Sequence, residues 1–230
     1  MDYTLHVRMN EHLFLRDPEG SELGRNMIRH GIALFGEIGF EEATFRKLAE
    51  RMGTKEASIY RYFENKHRLL VYMVAWYWQW LEYQVVIQTN NMQNPREKLE
   101  RILRLLLLND VVGSQVGNGA VGTDLKMLHS VVIREASKAY LTRHVTEDNR
   151  QQLFKPYKDL CARIAGVILE QQPKYPFARS LASTLIEAAH YQSFFRQNLP
   201  SLTDFGAAED ENQLQEFLRH LLFAAIEKQV

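Results

Sequence analysis

Glycine and proline are scarce and clustered in this chain, and between them the apolar residues recur at helical spacing. Leu23, Met27, Leu34 with Phe35, and Ile38 form a first stripe, opened by Ser21 as a cap and closed by Gly39. Short segments over 44–52 and 56–62 follow, then a long one from Lys66 toward Asn90. Pro95 suits the first turn of a helix through Leu99, Ile102, Leu103 and Leu106. Leu125, Leu128 and Val132 mark another, as do Leu160, Cys161, Ile164 and Ile168, where Pro156 either starts the helix or kinks it. Pro176 precedes a stripe of Phe177, Leu181, Leu185 and Ala188 or Ala189. The last stripe runs Leu214, Phe217, Leu218, Leu221, Leu222, Ala225 and Ile226. No window alternates with period two, so no strands are expected and the fold class is all-α.

The 230 residues are ample for a core, and 46% hydrophobic with 24% charged is a globular mix. The single cysteine, Cys161, has no internal disulfide partner, which points to the cytosol. The run Ile102 to Leu108 is broken by Arg104 and too short to span a bilayer, so no membrane partner is expected. The first residues read as no signal peptide. Lysine plus arginine total 28, as do aspartate plus glutamate, so any case for nucleic acid rests on local residues.

Residues 44–66 supply that case. Thr44 caps a helix whose inner face is Phe45, Leu48, Ala49 and Met52; Gly53 ends it, and a second helix turns Ile59 and Phe63 inward. Two short helices across a tight glycine turn make a helix-turn-helix, whose second helix enters the major groove by its N-terminal end. Arg46, Lys47, Lys55, Ser58, Tyr60, Arg61, Tyr62 and Lys66 read as outward cations and hydroxyl donors, the groups that meet phosphate and base edges. Over residues 21–70, nine Lys/Arg against seven Glu leave only about +2.

The pattern Phe35, Gly39-Phe40, Ala43-Thr44, Leu48-Ala49, Gly53, then Ser58-Ile59-Tyr60, Tyr62-Phe63, Lys66 and Leu69-Leu70 resembles the tetracycline-repressor (TetR) family of bacterial transcription regulators. The resemblance implies an N-terminal reader and a C-terminal ligand-binding domain, divided here as an arm over 1–20, a helix-turn-helix domain over 21–66 and a ligand-binding and dimerisation domain over 67–230. It implies phosphate contacts for Thr44, Tyr60 and Lys66, a guanine contact for Arg46, base-facing places for Glu56 and Ala57, and a place beside the backbone for Tyr62. Where many members cap the recognition helix with serine, this chain has Lys55; either Thr54 caps instead or Lys55 adds a phosphate contact. The mildly acidic residues 1–20 argue against a minor-groove arm.

The resemblance further implies a homodimer through the last two helices, reading a palindromic operator on double-stranded DNA, with a small effector bound after the reader. Ala178, Ala182, Ser183, Ala188 and Ala189 independently suit close helix packing. On the fourth helix Trp76, Trp80 and Tyr83 share a face. An ordinary core stripe accounts for them, and a pocket for an apolar or aromatic effector is the competing reading. His129, Tyr157, Cys161, His190 and Tyr191 are the polar groups to seek along such a pocket.

No cofactor, metal or catalytic residue is expected. Gly117-Asn-Gly119-Ala-Val-Gly122 fits a dinucleotide fingerprint only formally, lacking the βαβ setting, and reads as a loop over 113–122. The eight histidines include no pair at i, i+4, and no nucleophile elbow appears. The sequence thus points to a cytoplasmic bacterial DNA-binding regulator, a repressor that releases DNA on ligand binding. The alternative is a helical small-molecule-binding protein whose reader has lost tight affinity for DNA.

Overall fold

A computed structural model describes residues 9–108, 125–205 and 211–227 of the chain. Among them are ten α-helices and no strand: α1 (Glu22–Glu42), α2 (Phe45–Met52), α3 (Glu56–Tyr60), α4 (Lys66–Thr89), α5 (Pro95–Leu106), α6 (Leu125–Tyr140), α7 (Val145–Arg150), α8 (Lys155–Gln171), α9 (Ala178–Asn198) and α10 (Glu211–Glu227). The glycine-rich pattern over 113–122 lies outside the described residues.

Local chemistry explains most boundaries. Ser21 Oγ accepts from the Gly24 amide at 3.1 Å and starts α1, and Asn94 caps α5 ahead of Pro95. Pro156 is the second residue of α8, where its missing N–H costs nothing, so it starts that helix and does not kink it. The first stripe needs one correction. Ile38 is exposed, while Met27, Ile28, Ile32, Leu34 and Phe35 are buried. Every residue of α4 from Leu69 to Trp78 is buried, so this stretch has no solvent face and hence no stripe.

The chain divides into two compact units, residues 1–79 with 114–156, and residues 80–113 with 157–230. In the first, α1 packs against α2 and α6, and two 3-10 turns, Glu11–Leu13 and Pro18–Gly20, precede it. In the second, α10 packs against α9 and α5. The sequence-based border at residue 66 followed the DNA-binding motif alone. The compact units follow packing, which places α6 and α7 with the motif.

Candidate nucleic-acid interface

The motif is assembled by a few local devices. Thr44 Oγ1 accepts from the Lys47 amide at 3.2 Å and opens α2. Phe45, Leu48 and Ala49 face inward, and Gly53 at φ 62°, ψ 32° closes the helix with its N–H on α2 carbonyls. The small Ala49 also accepts the Thr54 amide at 3.0 Å, which folds the turn tightly back. Lys55 then takes the N-cap position of α3 in extended backbone with no side-chain cap bond. Thr54 therefore does not cap α3, and the Lys55 ammonium is left for another partner. Ile59 and Phe63 are fully buried behind the helix.

The outer face carries Thr44, Arg46, Lys47, Lys55, Glu56, Ala57, Tyr60 and Arg61, all exposed, with Ser58 half-buried among them. The Arg46 side chain is 81% exposed, and its Nε lies 3.0 Å from Glu50 Oε1. The Tyr60 ring stands edge-on to Phe45 with centroids 5.0 Å apart, which fixes the phenol at the surface. Glu56 sits in the first turn of α3, where a carboxylate suits the exposed amides.

Two residues read as outward donors are placed otherwise. Tyr62 is buried, and its hydroxyl shares a 2.7 Å hydrogen bond with Ser21 Oγ. It pins the exit of the recognition helix to the cap of α1. The Lys66 ammonium donates to the carbonyls of Phe40, Glu41 and Ala43 at 2.9, 2.8 and 3.0 Å. All three of its donors are spent on the end of α1, so the side chain holds the α1–α2 corner and has none left for a phosphate.

Further supports come from partners that the sequence did not single out: Glu135, Lys138, Arg134 and Asp148. Gly39 adopts φ 76°, ψ 166° and breaks α1 near its end. The next amide, Phe40, donates to buried Glu135 Oε1 on α6 at 3.1 Å, and Lys138 pairs with Glu135 Oε2 at 2.6 Å. The Phe40 ring carries Lys66 Nζ at 4.6 Å and Lys138 Nζ at 5.7 Å from its centroid. Arg134 donates to the Gly36 carbonyl at 2.8 Å. At the start of α4, Arg68 bridges to buried Asp148 of α7 at 2.8 Å. The segment before α1 also packs on the reader. The Leu15 amide donates to the Tyr62 carbonyl at 2.8 Å, and the Arg16 guanidinium lies 5.2 Å from the Tyr62 ring centroid.

The effector candidates fall into both units. Trp76 and His129 belong to the first, where Trp76 is buried. His129 Nδ1 shares a 2.6 Å hydrogen bond with the buried Tyr77 hydroxyl, and burial lowers the imidazole pKa to about 4. Burial likewise pushes the Tyr77 phenol up. In the second unit Trp80 and His190 are buried, and Tyr157 donates to Glu187 at 2.8 Å. Burial pushes the Cys161 thiol up to about 11, keeping it protonated and unreactive. Tyr83 and Tyr191 are 38% and 50% exposed, which takes both out of a buried pocket wall. Among the described residues no group of three or more His, Cys, Asp or Glu is placed to hold a metal ion.

Residues 28–73 match the family profile described as "Bacterial regulatory proteins, tetR family". No curated protein matches the sequence. Solved structures match over nearly the whole chain. The fatty acid degradation regulator FadR from Bacillus halodurans is 16% identical, covering 89% of this chain and 96% of its own, with a TM-score of 0.60. AibR, solved with isovaleryl coenzyme A and operator DNA, is 15% identical over 86% of this chain and 98% of its own, with a TM-score of 0.59. A transcriptional regulator from Saccharomonospora viridis in complex with choline is 18% identical over 89% and 95%, with a TM-score of 0.58. At these identities the likeness is one of fold.

Proposed function

We propose that this chain, whose N-terminal domain is that of the tetR family of bacterial regulatory proteins, is a homodimeric repressor that reads a palindromic operator and releases it on binding a small effector. The carrying observation is the α2–Gly53–α3 unit: two short helices, the first capped by Thr44 and closed by Gly53, with a buried inner face and an exposed polar outer face. In this reading the N-terminal end of α3 enters the major groove. Arg46 reads a guanine, Glu56 and Ala57 face bases, and Thr44, Lys55, Ser58, Tyr60 and Arg61 meet the backbone.

Dimerisation through α9 and α10 is supported by apolar side chains left at the surface: Phe177, Tyr191, Leu199 and Leu202 on or beside α9, and Phe217 on α10. A second copy would bury them, and two readers double the contacts on a palindrome. The effector shifts the population of reader spacings, as far as it prefers one spacing over the other. No catalytic step is assigned to the chain. No helix among the described residues is long and apolar enough to cross a membrane, and we place the protein with the DNA, in the cytoplasm.

One observation favours a second reading, a ligand-binding protein whose reader no longer grips DNA. Lys66, a cation expected on the duplex, is already engaged within the reader by three carbonyls. Selection of bound sequences from a random duplex pool separates the two. The repressor enriches inverted half-sites about one or more helical turns apart. An unenriched pool supports the second reading.

A further inference from the structure

The three similar proteins do not agree on a ligand. One is named for fatty acid degradation, one was solved with a coenzyme A thioester and one with a cation, choline. The second unit of this chain carries its own indication. Arg196, in the last turn of α9, has Nε and Nη1 shut off from solvent without a hydrogen-bond partner. Seven residues on, beyond a 3-10 turn (Pro200–Leu202) that packs back on α9, Thr203 Oγ1 is likewise buried and unpartnered.

These orphans are costly. A guanidinium stays charged at any physiological pH, so it cannot escape burial by losing a proton, as a lysine can. Each buried donor left unmade forfeits its hydration with nothing gained in return, and most of all when it is charged. By contrast, three arginines of this unit, Arg96, Arg163 and Arg219, meet carboxylates of Glu227, Glu82 and Glu100. The C-terminal end of α9 offsets some of the charge of Arg196 but accepts none of these hydrogen bonds. The neighbours of Arg196 in sequence on α9 are aromatic: Phe194 and Phe195, whose rings meet edge to face with centroids 6.2 Å apart.

We infer that Arg196 is the recognition group for an anionic effector: a small organic molecule with an apolar body and an oxyanion head, carboxylate or phosphate, that supplies the missing acceptors, with Thr203 as a second donor. The inference rests on the ligand-responsive reading above and narrows it, since an apolar body alone would leave the guanidinium unsatisfied. The choline-type cation is excluded by charge.

The test uses the full chain. Binding of hexanoate, benzoate and hexyl phosphate is measured by calorimetry against hexanamide, benzamide and choline, for the wild type and for Arg196→Met and Arg196→Lys. The expected result is binding of at least one anion, with hexanoate or benzoate against hexyl phosphate deciding the head group, and no binding of the amides or choline. Arg196→Met then loses on the order of 10- to 100-fold in affinity, the worth of one or two charge-assisted hydrogen bonds, and Arg196→Lys recovers part of it. Equal binding of acids and amides, or anion affinity unchanged in Arg196→Met, overturns the inference. So does an absence of binding by all three anions. DNA binding by the same samples keeps the two claims apart. Operator binding with no anion response sinks only the effector assignment, whereas anion binding without selective DNA binding leaves the site standing and sinks the repressor.

Discussion

The Arg46 guanidinium stands in solvent, with Glu50 as its carboxylate neighbour on the same helix face. An exposed i, i+4 pair of this kind is worth only a few tenths of a kcal/mol, so a guanine can take the arginine from it at little cost. Replacing Arg46 by Gln is expected to relax discrimination at one base pair by about 1–3 kcal/mol while leaving binding to random DNA nearly unchanged. Competition titrations with single-base operator variants measure this. Lys66 carries the same charge, but its donors are held by three carbonyls. Lys66→Met is therefore expected to lower thermal stability by roughly 1.5–3 kcal/mol without altering the slope of log affinity against log salt. A slope reduced by about one would return Lys66 to the phosphate backbone. His129 gives a pH signature. Its imidazole titrates at 6.5 in an ordinary setting and about 4 in the fold. Between those values the unfolded chain binds the extra proton, so stability is complete above pH 6.5 and is lost as pH falls toward 4, with a slope approaching 1.4 kcal/mol per pH unit. Melting profiles of the wild type and His129→Gln check it; the same acid slope in both would contradict it.

At the level of elements, two places in the reader turn on glycine, Gly39 near the end of α1 and Gly53 between α2 and α3. Gly53 and Gly39 both have positive φ, yet they differ. A Cβ at Gly53 meets nothing within 4 Å and adopts an ordinary left-handed conformation, so Gly53→Ala is expected to cost about 1 kcal/mol. Gly39 lies in a region that only glycine enters readily, with Glu135 Oε1 3.4 Å from the added carbon, so Gly39→Ala is expected to cost about 2–3 kcal/mol. Denaturant unfolding of both variants ranks them, and equal losses would refute the difference. These elements also show what sequence reasoning reaches. The stripe of Phe45, Leu48 and Ala49, the glycine turn and the Thr44 cap are contacts within a few residues, and each is readable from spacing. Tyr62 to Ser21, Lys66 to Phe40 and Phe40 to Glu135 join positions 41, 26 and 95 residues apart, and nothing local marks them. A polar residue next to a buried aromatic therefore read as outward when it was in fact turned inward to a distant partner. The fourth helix was legible in extent, from Lys66 toward Asn90 against Lys66–Thr89, but its fully buried stretch shows no stripe, since a helix covered on all sides has no periodicity to read.

For the whole molecule, the all-helical class and the reader were legible because the apolar period and the motif agree over residues 28–73. The effector chemistry was not, because the aromatic residues of α4 draw attention while the informative group is a single arginine of α9. A chain with the exposed apolar residues of α9 and α10 is expected to sediment as a dimer, and Phe217→Glu, placed among them, should shift it toward monomer and weaken operator binding together. A monomeric wild type would contradict the pairing. The claim on which the rest depends is that the reader selects DNA. Its most direct measurement is the affinity of the purified protein for DNA flanking its own gene, against random duplex, over a salt series. The account predicts selective binding by 10³-fold or more, about the lower bound for specific readers, with a steep negative salt slope for both duplexes. Equal, weak binding to the two at every salt concentration would contradict it.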